Sequence, residues 1–217
     1  MGIRVGGFAM VGLGISCQGS YQIGTHAPLL RELIGSQKTA KHLRTPLDWV
    51  ICPPRSVARM IRDWRFHPSD PTQIVSDQAP YWPEGECWFW HDEPHITSGE
   101  FLPRQDHFVS NFEGLGALAN VNFVLSNTQG NLDLVMRQVR HPIDIAFSDA
   151  DVDAVEAAVK ARFPKARLWV VVRKDRNLLQ RHRHSPRVFE LEPEPSEWKG
   201  DSGQWEAVFR RMLAPAA

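Results

Sequence analysis

One cysteine stands where a thiol could act as a nucleophile. Cys17 follows an apolar run at residues 8–13 and a glycine-rich turn, where we expect a buried strand to lead into a helix. A thiol at a helix N-terminus lies at the positive end of the helix dipole, which favours the thiolate. The free N–H groups beside Ser16 and Gln18 could also hold an oxyanion. Alternatively, Cys17 is a small buried residue that closes a strand–helix corner.

The densest group of ionisable side chains has the sequence His91-Asp92-Glu93-Pro94-His95. His91 ends an aromatic run predicted to be a strand, and from there it could act as the general base for a cysteine. Trp49 and Trp90 could form the walls of a substrate cleft beside it. Two histidines four residues apart can instead bind a metal on a helix, although Pro94 disfavours a helix here. A third interpretation is a solvated loop at the end of the strand.

Two further polar residues could assist such a site. Asp48 lies between apolar neighbours, so it is either a buried hydrogen-bond acceptor or the acid that orients a catalytic histidine. Asn127 follows the strand predicted at residues 122–125, at the edge where α/β folds gather ligand-binding groups. A turn residue or a helix cap is the alternative for Asn127.

The glycine pair at positions 12 and 14 matches only the beginning of a dinucleotide-binding fingerprint. The full fingerprint needs a third glycine where Cys17 stands, and an acidic residue about 20 residues further on. Neither is clear in this sequence, and the three cysteines include no CxxC pair. We therefore expect neither a cofactor nor a bound metal.

Composition limits the class of protein. The 217 residues carry 25 basic and 25 acidic side chains, and 42% are hydrophobic. We expect one domain over residues 1–217, with an irregular proline-rich insertion around residues 66–86. Zero formal charge disfavours a nucleic-acid partner, and no apolar run reaches the roughly 18 residues of a membrane span.

The cysteines and the N-terminal residues bear on the location of the protein. Three separated cysteines indicate a reducing compartment. Gly14 stands where a lipoprotein signal requires a large apolar residue, so we expect a cytoplasmic location. The sequence carries no signal for an oligomeric state.

The elements that must position these side chains alternate between helices and short apolar strands. Strands or extended segments are expected at residues 8–13, 45–51, 87–91, 122–125, 143–147, 168–172 and 188–191. Helices are expected at residues 17–33, from Pro54 onward, and at 106–118, 132–139, 149–163 and 201–213. This alternation predicts an α/β layered sandwich with a mostly parallel central sheet flanked by helices.

Three motifs together resemble a known family: Gly12-Leu13-Gly14-Ile15-Ser16-Cys17-Gln18-Gly19-Ser20, Pro46-Leu47-Asp48-Trp49 and His91-Asp92. They look like a bacterial domain family of unknown function that is described as papain-like cysteine peptidases. Trp198-Lys199-Gly200-Asp201 with Trp205 is similar to its C-terminal pattern. The resemblance implies Cys17 as nucleophile, His91 as base and Asp48 as an orienting acid, with a papain-like α+β fold as the alternative architecture. Leu47 and Glu93 stand where that family usually has aromatic residues, a difference that concerns the substrate.

We therefore expect a bacterial cysteine hydrolase or acyltransferase that acts on an amide, thioester or ester in a small-molecule or peptide substrate. One alternative is a non-catalytic domain of the same fold that binds a polar ligand in the same cleft. Another is a metal-dependent hydrolase that uses His91, Asp92 and His95.

Overall fold

A central six-stranded sheet organises the computed structural model, which describes residues 1–194 and 198–214. In chain order the strands of the protein are β1 (Gly2–Val5), β2 (Phe8–Gly12), β3 (Lys41–Leu43), β4 (Val75–Ser76), β5 (Pro80–Trp82), β6 (Cys87–Trp88), β7 (Asn120–Ser126), β8 (Arg167–Arg173) and β9 (Val188–Leu191). The large sheet has the order β3-β1-β2-β7-β8-β9, and β4, β5 and β6 form a small antiparallel sheet. The pairs β2–β7, β7–β8 and β8–β9 are parallel, whereas β1 pairs antiparallel with β2 and β3. The predicted α/β class with a mostly parallel sheet is confirmed.

Eight helices accompany these strands in the described part of the chain. They are α1 (Gln18–Thr25), α2 (Ala27–Leu33), α3 (Pro54–Asp63), α4 (Glu93–Thr97), α5 (Phe101–Glu113), α6 (Leu132–Gln138), α7 (Asp149–Arg162) and α8 (Ser202–Met212). Short 3₁₀ helices cover Pro71–Gln73, Gly114–Ala117 and Lys174–Arg176. Among the described helices, none has the length and apolar character needed to cross a membrane.

Helices cover both faces of the large sheet. One apolar cluster joins Val11 and Phe123 to α3, α5 and α7, and a second joins Met10 and Val124 to α1, α2 and α8. Neighbouring strand residues divide between the two clusters because successive side chains point to opposite faces. Burial on both faces is also the reason that β2 and β8 contain continuous apolar runs in the sequence.

The proline-rich stretch at residues 66–86 forms only short elements. Its sheet is anchored to the rest of the protein through Trp88, which exchanges two backbone hydrogen bonds with Ile51. Trp88 is fully buried in a third apolar cluster that also contains residues of α6. Since Trp90 and His91 follow directly after β6, this anchored sheet fixes where both side chains lie.

One predicted extended segment is wrong, and two others contain less strand than predicted. Residues 45–51 form a turn, because the Asp48 carboxylate accepts a hydrogen bond from the Thr45 N–H and closes the chain locally. Residues 143–147 make only an isolated bridge, between Phe147 and Asn177. The strand predicted at residues 87–91 is limited to Cys87–Trp88.

Two helix predictions also need correction. Ser148, and not Asp149, caps α7, through a reciprocal capping box with Asp151. A helix does form around Pro94, because proline in the first turn of a helix removes no hydrogen bond that the helix would otherwise make.

Candidate active site around Cys17

The turn between β2 and α1 presents Cys17 at the carboxyl end of the sheet. The parallel ladder with β7 continues past β2, since the Leu13 N–H donates to the Val124 carbonyl at 2.9 Å. Gly14 and Ile15 then both adopt a φ of 67°. A β-branched residue in this left-handed region costs about 1–3 kcal/mol, and such strain is concentrated at functional sites. This strained turn brings Cys17 to the N-cap position of α1.

The Cys17 thiol is protonated at neutral pH in this environment. Its side chain is only 5% exposed, and burial raises the pKa of the thiol to about 11. Cys17 Sγ donates a hydrogen bond to Gln129 Oε1 at 3.5 Å. The helix dipole therefore does not favour the thiolate here as expected, because desolvation of the charged sulfur outweighs the dipole.

Cys17 and His91 line one cavity of about 190 Å³. The other residues around this cavity are Ile51, Trp90, Gln129, Asn131, Val135 and Trp198. The sequence therefore predicted three of the lining side chains as site residues: Cys17, His91 and Trp90. No hydrogen bond joins Cys17 to His91 among the described residues, although both line this cavity.

His91 lies between this cavity and a larger one. Its exposed imidazole packs edge-on against Trp49, with 5.1 Å between ring centroids. Desolvation by the surrounding protein lowers the pKa of His91 below its ordinary value of 6.5, although Asp92 opposes the shift. His91 is therefore neutral at pH 7 and able to accept a proton.

The remaining ionisable residues of the 91–95 cluster point to other partners. Asp92 is buried and accepts a hydrogen bond from Gln105 Nε2 at 3.2 Å, while its other oxygen lies 3.6 Å from Arg104 Nη2. His95 contacts the Arg104 guanidinium and lies 3.6 Å from Glu100. Over residues 1–194 and 198–214, no group of three His, Cys, Asp or Glu side chains is placed to hold a metal ion. The metal-dependent alternative thus has no site in this part of the chain.

Asp48 is fully buried behind the site. Its carboxylate accepts hydrogen bonds from Ser20 Oγ and the Thr45 N–H, both at 2.8 Å, and lies 3.9 Å from the Met1 amino group. Burial raises the pKa of this carboxyl group above its ordinary value. Asp48 therefore ties α1 to the turn at Thr45, and among the described residues it makes no hydrogen bond to His91.

Ser16 and Gln18 flank Cys17 but are not among the residues that line the cavity. Ser16 is 2% exposed, and its hydroxyl has no hydrogen-bond partner in the described part of the chain. The fully buried Gln18 side chain accepts from Thr128 Oγ1 and donates to the Trp198 carbonyl at 3.0 Å. Gln18 thus fixes Trp198, a wall of the cavity, against α1, and the N–H groups that open α1 remain the groups suited to an oxyanion.

Asn127 is a structural residue in this geometry. It donates to the Ile145 carbonyl at 2.8 Å and accepts from the Arg173 N–H at 2.9 Å, so it joins the ends of β7 and β8. It does not line the cavity, whereas Gln129 and Asn131 on the same loop do. Gln129 Nε2 donates to Asn131 Oδ1 at 2.9 Å, which orients its Oε1 toward Cys17.

Two buried arginines hold the loop that carries Gln129. Arg176 donates to the Asn127 carbonyl, to the Gln129 carbonyl at 2.9 Å and to Asp133 at 2.6 Å. Arg173 donates to the Gly130 carbonyl at 3.0 Å and shares the same Asp133 oxygen at 2.6 Å. The backbone beneath Gln129 is therefore fixed by charged donors.

Sequence reasoning missed Gln129. The available signal was its place in the loop after a central parallel strand, where ligand-binding groups of α/β sheets collect. That signal pointed to this loop through Asn127, which does not itself line the cavity. No family model, curated protein or solved structure matches this chain. The resemblance to the papain-like family therefore stays a prediction.

Proposed function

We propose that this protein is a cysteine hydrolase or acyltransferase in which Cys17 attacks the carbonyl of an amide, thioester or ester and His91 is the general base. The observation that carries the proposal is the shared cavity. Cys17 and His91, which are 74 residues apart in the sequence, come from different elements and line the same space of about 190 Å³. A nucleophile and a base that converge on one cavity are the minimum that acyl transfer requires.

The pKa directions indicate how the step would begin. Burial raises the pKa of the Cys17 thiol, and desolvation lowers the pKa of His91, so both groups are neutral at rest. As Sγ forms a bond to the carbonyl carbon, its proton passes to the His91 imidazole. The carbonyl oxygen becomes an oxyanion, which the N–H groups at the start of α1 can stabilise.

Collapse of this intermediate breaks the bond to the leaving group. The leaving amine, alcohol or thiol takes the proton from His91, and the acyl group remains on Cys17 as a thioester. Water makes the second step a hydrolysis, whereas an amine or alcohol acceptor makes it a transfer. His91 removes the proton from that second nucleophile, the bond between Sγ and the acyl carbon breaks, and Sγ takes the proton back from His91.

Asp48 acts in this proposal as a positioning residue. Its hydrogen bonds with Ser20 and Thr45 fix α1, and therefore Cys17, against the turn that carries Trp49. The papain-like assignment and a reducing, cytoplasmic setting belong to the same proposal. They are supported by the three motifs that contain Cys17, Asp48 and His91, and by three free cysteines.

A ligand-binding domain without catalysis is the second candidate. It is favoured by the burial of the Cys17 thiol and by the hydrogen bond from Sγ to Gln129, which both stabilise the unreactive protonated form. In that case the cavity beside Cys17 holds a polar ligand and no covalent intermediate forms.

Acylation by p-nitrophenyl acetate separates the two candidates. We expect the wild-type protein to release p-nitrophenol and to carry an acetyl group on Cys17, located by peptide mass spectrometry. Cys17→Ala should abolish this reaction, and His91→Gln should slow it at least about tenfold, within the range for loss of a general base. Cys52→Ala and His184→Gln are matched controls that should react as the wild type does, because Cys52 is a buried core residue and His184 is exposed. Equal rates in wild type and Cys17→Ala would contradict the catalytic proposal.

A further inference from the structure

A second cavity adjoins the first at His91. Its volume is about 350 Å³, within the usual range for small-ligand sites. It is lined by the turn at residues 44–50, by His91 and Asp92, and by residues of α5. His91 lines both cavities, so this second space and the cavity beside Cys17 meet at one side chain.

Unpaired polar atoms are concentrated around this second cavity. Nine buried side-chain nitrogen or oxygen atoms in the described residues have no hydrogen-bond partner. Four of them belong to its lining residues: Thr45 Oγ1, Trp49 Nε1, Arg104 Nε and Gln105 Oε1. Buried polar groups in proteins are nearly always paired, so this concentration indicates a place that polar ligand groups satisfy. Three of the four atoms are hydrogen-bond donors, which favours a ligand rich in acceptors.

The formal charge around the cavity is positive. Arg44 and Arg104 contribute two positive charges against one negative charge on Asp92, which gives a net charge of +1. The Asp92 oxygens are already directed at Gln105 and Arg104, at 3.2 and 3.6 Å. Arg44, by contrast, makes no ion pair among the described residues, and its guanidinium lies 6.0 Å from the Trp49 ring centroid. This balance suits a single negative charge on the ligand.

Apolar surfaces complete the cavity. Trp49, Phe108, Pro46 and Val50 contribute rings and a branched side chain to the lining. Such walls suit a carboxylate that is attached to an apolar or aromatic body.

We propose that this second cavity binds a carboxylate, and that the substrate is an acyl compound or peptide with a free carboxylate on the far side of His91 from its reacting carbonyl. Arg44 supplies charge, and the Thr45 hydroxyl, the Trp49 indole N–H and Arg104 supply hydrogen-bond donors. The assignment of the carboxylate to the substrate rests on the proposed function, whereas the carboxylate site itself does not.

The test compares N-acetylphenylalanine with N-acetylphenylalaninamide by calorimetry, using the Cys17→Ala protein so that no acylation interferes. The acid should bind at least about tenfold more tightly than the amide, since charge-assisted hydrogen bonds are the stronger ones. Arg44→Gln and Thr45→Val should each reduce this preference severalfold. Arg4→Gln is a matched control that should retain it, because Arg4 lies on β1 away from the cavity.

Two outcomes would overturn the carboxylate site: equal binding of acid and amide, or a preference for the acid that survives both Arg44→Gln and Thr45→Val. The outcome for catalysis is separate. A preserved acid preference without acetylation of wild-type Cys17 would contradict the proposed function but support the carboxylate site. Acetylation of Cys17 without an acid preference would support the proposed function but contradict the carboxylate site.

Discussion

Cys17 Sγ and Gln129 Oε1 are joined by a hydrogen bond of 3.5 Å that spans 112 residues of sequence. The contact exists because β2 and β7 are parallel neighbours, so the turn after one strand and the loop after the other meet at the same edge of the sheet. Gln129 accepts a hydrogen bond from the thiol and therefore stabilises the protonated sulfur. His91, which lines the same cavity, is the group suited to remove that proton.

The pH dependence of Cys17 acetylation should reveal the base. The pKa of His91 is lowered from 6.5, so its neutral form already predominates above that pH. The wild-type rate should rise with pH, with its midpoint below pH 6.5, and then level off. In His91→Gln only the thiolate reacts, and the raised pKa of Cys17 predicts a rate that climbs about tenfold per pH unit toward about pH 11.

Rates of p-nitrophenol release from about pH 5 to about pH 10, corrected for spontaneous hydrolysis, measure both profiles. The profile of His184→Gln should match that of the wild type. A wild-type rate that climbs without a plateau would exclude His91 as the base.

Substitution of Gln129 tests its control of the thiol. Gln129→Glu places a carboxylate beside Cys17 Sγ, and like charges disfavour the thiolate. Alkylation by iodoacetamide at about pH 8 should therefore slow by roughly 3–10-fold, because thiolate is the reacting form. Gln138→Glu adds the same charge at an exposed position of α6 and should leave the rate unchanged. Equal rates in wild type and Gln129→Glu would mean that Gln129 does not contact the thiol in solution.

The sequence revealed the framework of the site better than its contacts. The strand that leads to Cys17 was predictable because both faces of β2 are buried, which leaves a continuous apolar run between glycines. For the same reason β7 and the loop after it could be placed. The hydrogen bond from Cys17 to Gln129 has no local pattern, since it depends on which strands become neighbours.

Side-chain roles at a single position were also ambiguous from the sequence. An acid among apolar residues fits either a structural or an orienting role, and only the partners of Asp48, Ser20 Oγ and the Thr45 N–H, distinguish them. The turn that Asp48 closes also explains why the apolar residues around it did not form the predicted extended segment.

Removal of Arg176 should loosen the loop that carries Gln129. Arg176→Met leaves the carbonyls of Asn127 and Gln129 without their charged donor, so the free energy of unfolding should fall by about 2–4 kcal/mol. Urea denaturation measures this loss. Arg137→Met on the exposed side of α6 should change stability by less than about 0.5 kcal/mol. If Arg176→Met is as stable as Arg137→Met, Arg176 does not hold the loop that carries Gln129.

Gly200→Ala should disturb the wall of the cavity that Gln18 supports. Gly200 has a φ of 79°, and a Cβ there would lie 2.6 Å from Gln18 Nε2. Gln18 cannot move away without cost, because it is fully buried and bonded to Thr128 and to the Trp198 carbonyl.

Gly35 provides the matched control for this substitution. It also has a positive φ, of 63°, but a Cβ there meets no atom within 4 Å. Gly35→Ala should therefore lower the free energy of unfolding by only about 1 kcal/mol, because alanine is disfavoured in the left-handed conformation. Gly200→Ala should lower it by about 2–4 kcal/mol, because a steric clash with Gln18 is added. Urea denaturation of both variants gives the difference, and equal losses would mean that Gln18 does not pack against Gly200. Because Gln18 also bonds the carbonyl of Trp198, which lines the cavity beside Cys17, Gly200→Ala should also change the alkylation rate of Cys17, while Gly35→Ala should not.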